Sequence, residues 1–264
     1  KCLPAKRFMD KSLRIYSWKI LPGIKMTIRQ ILPDRACALL SVIKEFRNLS
    51  SSDLEAIAHV CHWHRYEEGE EIVRYHADSN SVFFITQGEM RVTFYSMSGK
   101  EVILCYLPAG EIFGELTAID GQSRSATVVA ETSSLVASIS SSAFQELIFN
   151  NRQIALAILQ RLTGQIRRLT ERVFESSTLN VRNRIYAELL RLAKKHPMEA
   201  NRVVISPAPI QADLASLIGT VRETVSRELA DLEREQVILQ QDHEIHILDM
   251  AKLTEMVENV RGNF

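Results

Sequence analysis

A chain of 264 residues, 46% hydrophobic and 24% charged, is long enough for two domains that each bury a core. Lysine plus arginine equals aspartate plus glutamate at 32 each, so bulk charge argues for no nucleic-acid partner, and any such argument must rest on local features. The longest apolar runs, such as Val102 to Leu107, fall far short of the roughly 20 residues of a membrane-spanning helix. Cys2, Cys37, Cys61 and Cys105 form no CxxC pair, and the expectation is a reduced, cytoplasmic protein with no membrane partner.

Residues 1–34 are expected to be a flexible basic extension. Lys1, Lys6, Arg7, Lys11, Arg14, Lys19, Lys25 and Arg29 face only Asp10 over the first thirty positions, with no apolar stretch long enough for a secretory signal. The chain opens on lysine, which leaves Met9 and Met26 as alternative starts, and no function is assigned here. Residues 35–146 then carry short strand-like runs: Ser81 to Thr86, Met90 to Tyr95, Glu101 to Leu107, Ala126 to Ala130 and Leu135 to Ile139, with Gly69, Gly88, Gly99 and Gly110 between or beside them. Met90, Val92 and Phe94 alternate with Arg91, Thr93 and Tyr95, which predicts one buried face, and Ser98-Gly99-Lys100 reads as a hairpin turn. An antiparallel barrel or sandwich follows.

Over 147–178 the period changes. Ala155, Leu159, Leu162, Ile166, Leu169 and Val173 recur at steps of four and three, a heptad seam, while Gln160, Arg161, Gln165, Arg167, Arg168, Glu171 and Arg172 fill the other faces. The seam is either a dimer contact through Leu159, Leu162, Ile166, Leu169 and Val173 or packing against the chain's own domain. Its length favours the dimer.

Residues 179–264 make the last unit. Asn180 is placed to cap a helix through Arg182, Ile185, Leu189 and Leu192, and the hinge between the two halves is expected here. His196-Pro197 ends that helix, and Ser206-Pro207-Ala208-Pro209 marks a boundary. From Gln211 to Leu232 the pattern is a helix with Leu214 and Leu217, a Gly219 turn, and a second helix with Val221, Val225 and Leu229 on its apolar face. Arg222, Glu223 and Arg227 lie opposite and are free to enter a major groove, where arginine reads guanine and glutamate accepts from cytosine. Val237 to Leu239 and Ile245 to Leu248, around Gln241-Asp242-His243, read as a β-wing. The alternative is an ordinary solvated helix face.

Ile112-Phe113-Gly114-Glu115-Leu116 followed by Arg124-Ser125-Ala126-Thr127 brings together a guanidinium, a hydroxyl, a carboxylate and a glycine. That is what a cyclic nucleotide's phosphate and ribose require. Taken alone, Arg124 and Glu115 read equally well as a surface ion pair worth about 0 to 1 kcal/mol.

Phe113-Gly114-Glu115-Leu116 with Arg124-Ser125-Ala126, and Arg222-Glu223-Thr224-Val225 with Arg227, fall in the order and separation found in CRP/FNR transcription regulators. From about Asn48 to Leu248 the sequence resembles the cAMP receptor branch of that family, and Cys61-His62-Trp63-His64-Arg65-Tyr66 looks like its approach to the first strand. The resemblance implies an α+β architecture: a jelly-roll-like β-roll that binds a cyclic nucleotide, a long dimerising helix, and a winged helix that reads palindromic DNA. It implies nucleotide contacts at Gly114, Glu115, Leu116, Arg124, Ser125 and Thr170, with the glutamate on the ribose, the arginine and serine on the phosphate, and Thr170 at the purine. It places DNA contacts at Arg222, Glu223, Thr224 and Arg227, and implies RNA polymerase as a further partner. Leu169 stands where cAMP-specific members carry a second hydroxyl and Gln165 replaces a family arginine, so cGMP, or both nucleotides, stays open beside cAMP.

Cys61, His62 and His64 offer zinc-type donors with no fourth ligand nearby, and the cysteine group of the iron-sulfur branch is missing, so neither metal nor cluster is expected. No nucleophile-base pair, Walker loop or metal-binding helix supports an enzyme. A same-fold regulator sensing another effector, or a thiol change at Cys105, is the remaining rival. The expected mechanism is a population shift in which ligand stabilises a dimer whose recognition helices lie about 34 to 36 Å apart, one turn of DNA.

Overall fold

The computed structural model describes residues 27–28, 31–96 and 101–261. The Ser98-Gly99-Lys100 turn and most of the basic extension lie outside them. The extension is not wholly separate from the domain that follows it: β1 (Thr27–Ile28) pairs with β2 (His62–Tyr66), and α1 (Pro33–Leu40) begins on a proline, whose fixed φ suits a first helical position.

A 3-10 turn at Lys44–Phe46 and α2 (Ser51–Val60), capped by Ser50 Oγ accepting from the Asp53 amide, lead into the β-roll. Its strands are β2, β3 (Glu71–Val73), β4 (Val82–Gln87), β5 (Glu89–Tyr95), β6 (Glu101–Pro108), β7 (Ile112–Phe113), β8 (Thr127–Ala130) and β9 (Ser134–Ile139), with α3 (Glu115–Asp120) after β7. They form two antiparallel sheets, in the orders β1-β2-β9-β4-β7 and β3-β8-β5-β6. Phe83, Ile85, Phe113 and Val136 of the first sheet meet Met90, Val128 and Ala130 of the second in one core. Phe84 and Ala137 point the other way, into a core closed by α1, α2, α4 (Ser141–Asn150) and α5 (Arg152–Thr178). Burial on both faces is why β4 and β9 read as continuous apolar runs rather than alternating ones.

The expected alternation in β5 fails halfway. A register shift at Val92/Thr93 against β6 turns Thr93 inward, where it is fully buried and its hydroxyl donates to the Val102 carbonyl at 3.0 Å. An extra residue in the partner strand reverses which side chains face the core beyond it.

The long helix α5 has two apolar faces. Asn151 caps its start by accepting from the Gln153 and Ile154 amides, and Ile154 and Ile158 are buried in the β-roll core, with Leu162 packed partly against it. Leu159, Ile166, Leu169 and Val173 remain between 60% and 65% exposed along one stripe.

Asn180 caps α6 (Val181–Ala193) by accepting from the Asn183 amide at 2.9 Å. Then come β10 (Met198–Glu199), β11 (Arg202–Ile205), α7 (Gln211–Ile218), α8 (Arg222–Arg234), β12 (Ile238–Gln241), β13 (Glu244–Ile247) and α9 (Met250–Arg261). The strands form one sheet, β10-β11-β13-β12, and Leu189, Leu214, Val225, Leu229, Ile247 and Leu253 share its core with the helices. Across the junction with the β-roll, Arg172 of α5 donates to the Leu104 carbonyl of β6 and pairs with Glu188 of α6, while Arg191 of α6 holds Glu175 of α5 at 2.9 Å and Glu188. Helix α7 packs against β6, where burial and the Asp213 carboxylate together raise the Tyr106 hydroxyl above its ordinary value. Among the described residues no helix is long and apolar enough to cross a membrane.

Candidate functional site

Two surfaces carry the residues singled out above. The first is built on the short strand β7, which pairs with β4 so that Phe113 stacks on Phe83 with ring centroids 4.7 Å apart. Gly114 follows at φ 83°, a conformation that costs a residue with a Cβ about 1 to 2 kcal/mol. Space is the stronger reason for glycine: a Cβ would lie 2.6 Å from Arg124 Nη1 and 2.7 Å from the Ser81 carbonyl. The crowding comes from the chain itself, where the sequence suggested close approach of a ligand.

Arg124 is 2% exposed, with its guanidinium 5.8 Å from the Phe83 ring centroid. Its Nε donates to Ser79 Oγ at 3.0 Å, Nη1 to the Gly114 carbonyl at 3.1 Å and Nη2 to the Ser81 carbonyl at 2.7 Å. Each terminal nitrogen keeps one further N–H, the bidentate geometry that suits a phosphate. Burial lowers the Arg124 pKa and the negative charge of Glu115 works against that shift. Glu115 is 4% exposed at the start of α3, so the two are not an exposed surface pair. The groups nearest its carboxylate on the long helix are Gln165, whose Nε2 donates to Oε1 at 3.5 Å, and Arg161, whose Nε lies 3.9 Å from the same oxygen. A buried cation with spare donors, a buried carboxylate and an occluded glycine suit one phosphate and one sugar hydroxyl.

The structure thus brings Gly114, Glu115 and Arg124 together. Ser125 and Leu116 flank them and are exposed. Thr170 is exposed on α5 and turns its hydroxyl to the Ile166 carbonyl at 3.0 Å, satisfying it within the helix. Arg161 was not singled out by sequence among the many arginines of α5, and its neighbours Glu45 and Glu111 lie far away along the chain.

The second surface is α7, the Gly219-Thr220-Val221 turn and α8. Gly219 ends α7 in the left-handed conformation, the usual glycine stop. Arg222, Glu223 and Arg227 are exposed on the first turns of α8, with Thr224 half-buried beside them, and Arg222, Glu223, Ser226, Arg227 and Ala230 line a common depression. Val221 departs from its expected place on the buried face: it precedes the helix as the cap residue and is 54% exposed, and the buried face is Val225, Leu229 and Leu232. Glu228 is drawn inward to Arg182 at 3.0 Å. Behind the two helices β12 and β13 form the wing around Asp242, whose φ of 50° makes the turn.

Among the described residues no His, Cys, Asp and Glu cluster is arranged to hold a metal ion. Burial pushes the Cys61 thiol up to about 12 and raises the Cys105 thiol despite Arg172 and Arg168 nearby, so neither is an activated thiolate.

Comparison with known proteins identifies both domains. Residues 63–151 match the cyclic nucleotide-binding domain family, and residues 183–256 match the Crp-like helix-turn-helix domain family. The chain is 31% identical over 179 residues, covering 67% of it and 85% of the relative, to the cAMP-activated global transcriptional regulator CRP of Salmonella typhimurium. It is 28% identical over 186 residues, 69% of this chain and 86% of the relative, to the cAMP-activated global transcriptional regulator Vfr of Pseudomonas aeruginosa. Among solved structures, a CooA mutant from Carboxydothermus hydrogenoformans matches with a TM-score of 0.69 at 19% identity over 77% of this chain and 90% of that one. FixK2 from Bradyrhizobium japonicum matches with 0.65 at 19% over 78% and 99%. These two show the fold alone. A β-roll joined to a winged helix-turn-helix, together with both domain matches and the 31% identity to CRP, makes this chain a cyclic-nucleotide-binding, DNA-binding transcription regulator, not an enzyme, and a member of the CRP/FNR family.

Proposed function

We propose that this regulator responds to cAMP and acts as a homodimer on palindromic DNA, with residues 35–146 as sensor, 147–178 as dimerising helix and 179–264 as reader. The observation that carries the effector is the buried Arg124, fixed by Ser79, Ser81 and Gly114 with donors to spare beside Glu115. In this reading Arg124 and Ser125 take the phosphate, Glu115 the ribose hydroxyl, Gly114 and Leu116 line the turn, and Thr170 meets the purine after releasing the Ile166 carbonyl. The relatives' description as cAMP-activated supports the choice of nucleotide.

The exposed stripe Leu159, Ile166, Leu169 and Val173, continued by Leu162, supports the dimer, because a free apolar face of this length is stabilised by a second helix. Arg222, Glu223, Thr224 and Arg227 of each protomer then read half-sites one helical turn apart, and RNA polymerase is the partner such a bound dimer serves. Ligand biases the arrangement by binding the DNA-competent form more tightly.

Calorimetry of the full chain with cAMP and cGMP, repeated with a palindromic operator duplex, tests this. Tight cAMP binding that strengthens operator binding supports the reading, and binding of neither nucleotide removes it. A preference for cGMP retains the pocket and changes the purine.

A further inference from the structure

We propose that Arg161 is the positioning residue of the effector pocket: from the long helix it sets the orientation of the Glu115 carboxylate toward the ribose. The proposal rests on the assignment of Glu115 to the sugar made above.

Arg161 has only 9% of its side chain exposed, and a buried guanidinium is tolerated only where partners satisfy it. It donates to the Ile112 carbonyl at 2.6 Å and to the Glu111 carboxylate, the two residues immediately before the Phe113-Gly114-Glu115 turn. Glu45 of the 3-10 turn lies at 3.5 Å on the same nitrogen, Nη1. The guanidinium is therefore fastened to the strand that leads into the pocket loop. Its Nε, by contrast, is buried without a hydrogen-bond partner among the described residues, and it lies 3.9 Å from Glu115 Oε1. Gln165, one helical turn later on the same face, approaches that same oxygen at 3.5 Å. Both long-helix donors address Oε1, which leaves Oε2 for a sugar hydroxyl. A movement of Glu115 by about 1 Å would bring Oε1 to ordinary hydrogen-bond distance of the idle Nε.

The test is calorimetry on the full chain with two probes, cAMP and 2′-deoxy-cAMP, for the native protein, Arg161→Gln and Arg161→Lys, with melting temperatures alongside. A correctly held carboxylate that accepts from the 2′-hydroxyl should favour cAMP over the deoxy analogue by about tenfold or more. In Arg161→Gln that ratio should fall to within about twofold, because cAMP weakens while the deoxy analogue, which never used Glu115, hardly changes. Arg161→Lys keeps the charge and loses the fork, and should retain the fold with a ratio reduced several-fold. A ratio unchanged in Arg161→Gln, even with a lower melting temperature, makes Arg161 a structural brace and overturns the proposal. Should Arg161→Gln not fold, an undiminished ratio in Arg161→Lys overturns it equally. A native protein that binds cAMP without preferring it to the deoxy analogue removes the role of Glu115 and this proposal with it, leaving nucleotide binding intact, whereas no binding of either probe removes the pocket itself.

Discussion

Arg124 reaches from the end of the pocket loop to the carbonyl of Ser81, 2.7 Å away at the threshold of β4, and so ties the loop to the sheet. Arg124→Ala should weaken cAMP binding by about 10- to 100-fold in calorimetry, the loss expected for a charge-assisted contact. It should also lower the melting temperature, since the Ser81 and Gly114 carbonyls lose a donor in a buried place. Ser125→Ala, at an exposed position, should weaken nucleotide binding with little change in melting. Unaltered affinity in both variants would place the ligand elsewhere.

Ile166→Asp puts a charge in the middle of the exposed stripe without touching the β-roll core, and sedimentation should show it monomeric at concentrations where the native chain is a dimer. Leu162 is the poorer probe, because it packs partly against the sensor core and its loss would confuse folding with association.

Arg222→Ala should relax discrimination at one base position by about 1 to 3 kcal/mol while nonspecific binding barely changes, read from titrations of single-base operator variants. An equal loss on every sequence would identify a phosphate contact instead.

The carboxylates around Arg161 should respond to pH with opposite slopes. Burial pushes Glu45 up, with Arg161 offsetting only part of the shift, so its contribution to stability is full below the unfolded value and lost as pH rises through the folded one. Glu45→Gln, which mimics the protonated acid, should therefore stabilise the protein at neutral pH, a gain that fades on acidification. Glu111 is also pushed up by burial, but its bonds to Lys44 and Arg161 outweigh that and hold it low. Its stability is present above the unfolded value and lost in acid, so Glu111→Gln should be destabilising at neutral pH and nearly silent at low pH. Calorimetric melting from pH 3 to 8 separates the two.

The reader domain was largely legible in sequence because its signals are local: Gly219 needs only its own φ, Asn180 only the amide three residues on, and Val225 and Leu229 only the helical period. The strands were legible for the same reason up to Val92, where the extra residue Leu104 in the partner strand shifted the inward set to Thr93. Val221 was misplaced because periodicity cannot tell the first residue of a helix from the cap before it. The pocket trio of Gly114, Glu115 and Arg124 was within reach because its members are neighbours in sequence, whereas Arg161 and Glu45, separated by 116 positions, meet only through the fold.

The junction at Asn180 has no stiffness of its own beyond one capped turn, yet it is not loose. Arg172, Glu175, Glu188 and Arg191 lock α5 to α6 by charge, and α7 rests on β6 beside Tyr106. In the proposed switch, movement of the reader against the long helix would have to break these ion pairs and the α7 contact. If the proposed dimer breaks them all at once, intermediate transcription levels would reflect the fraction of dimers that have switched.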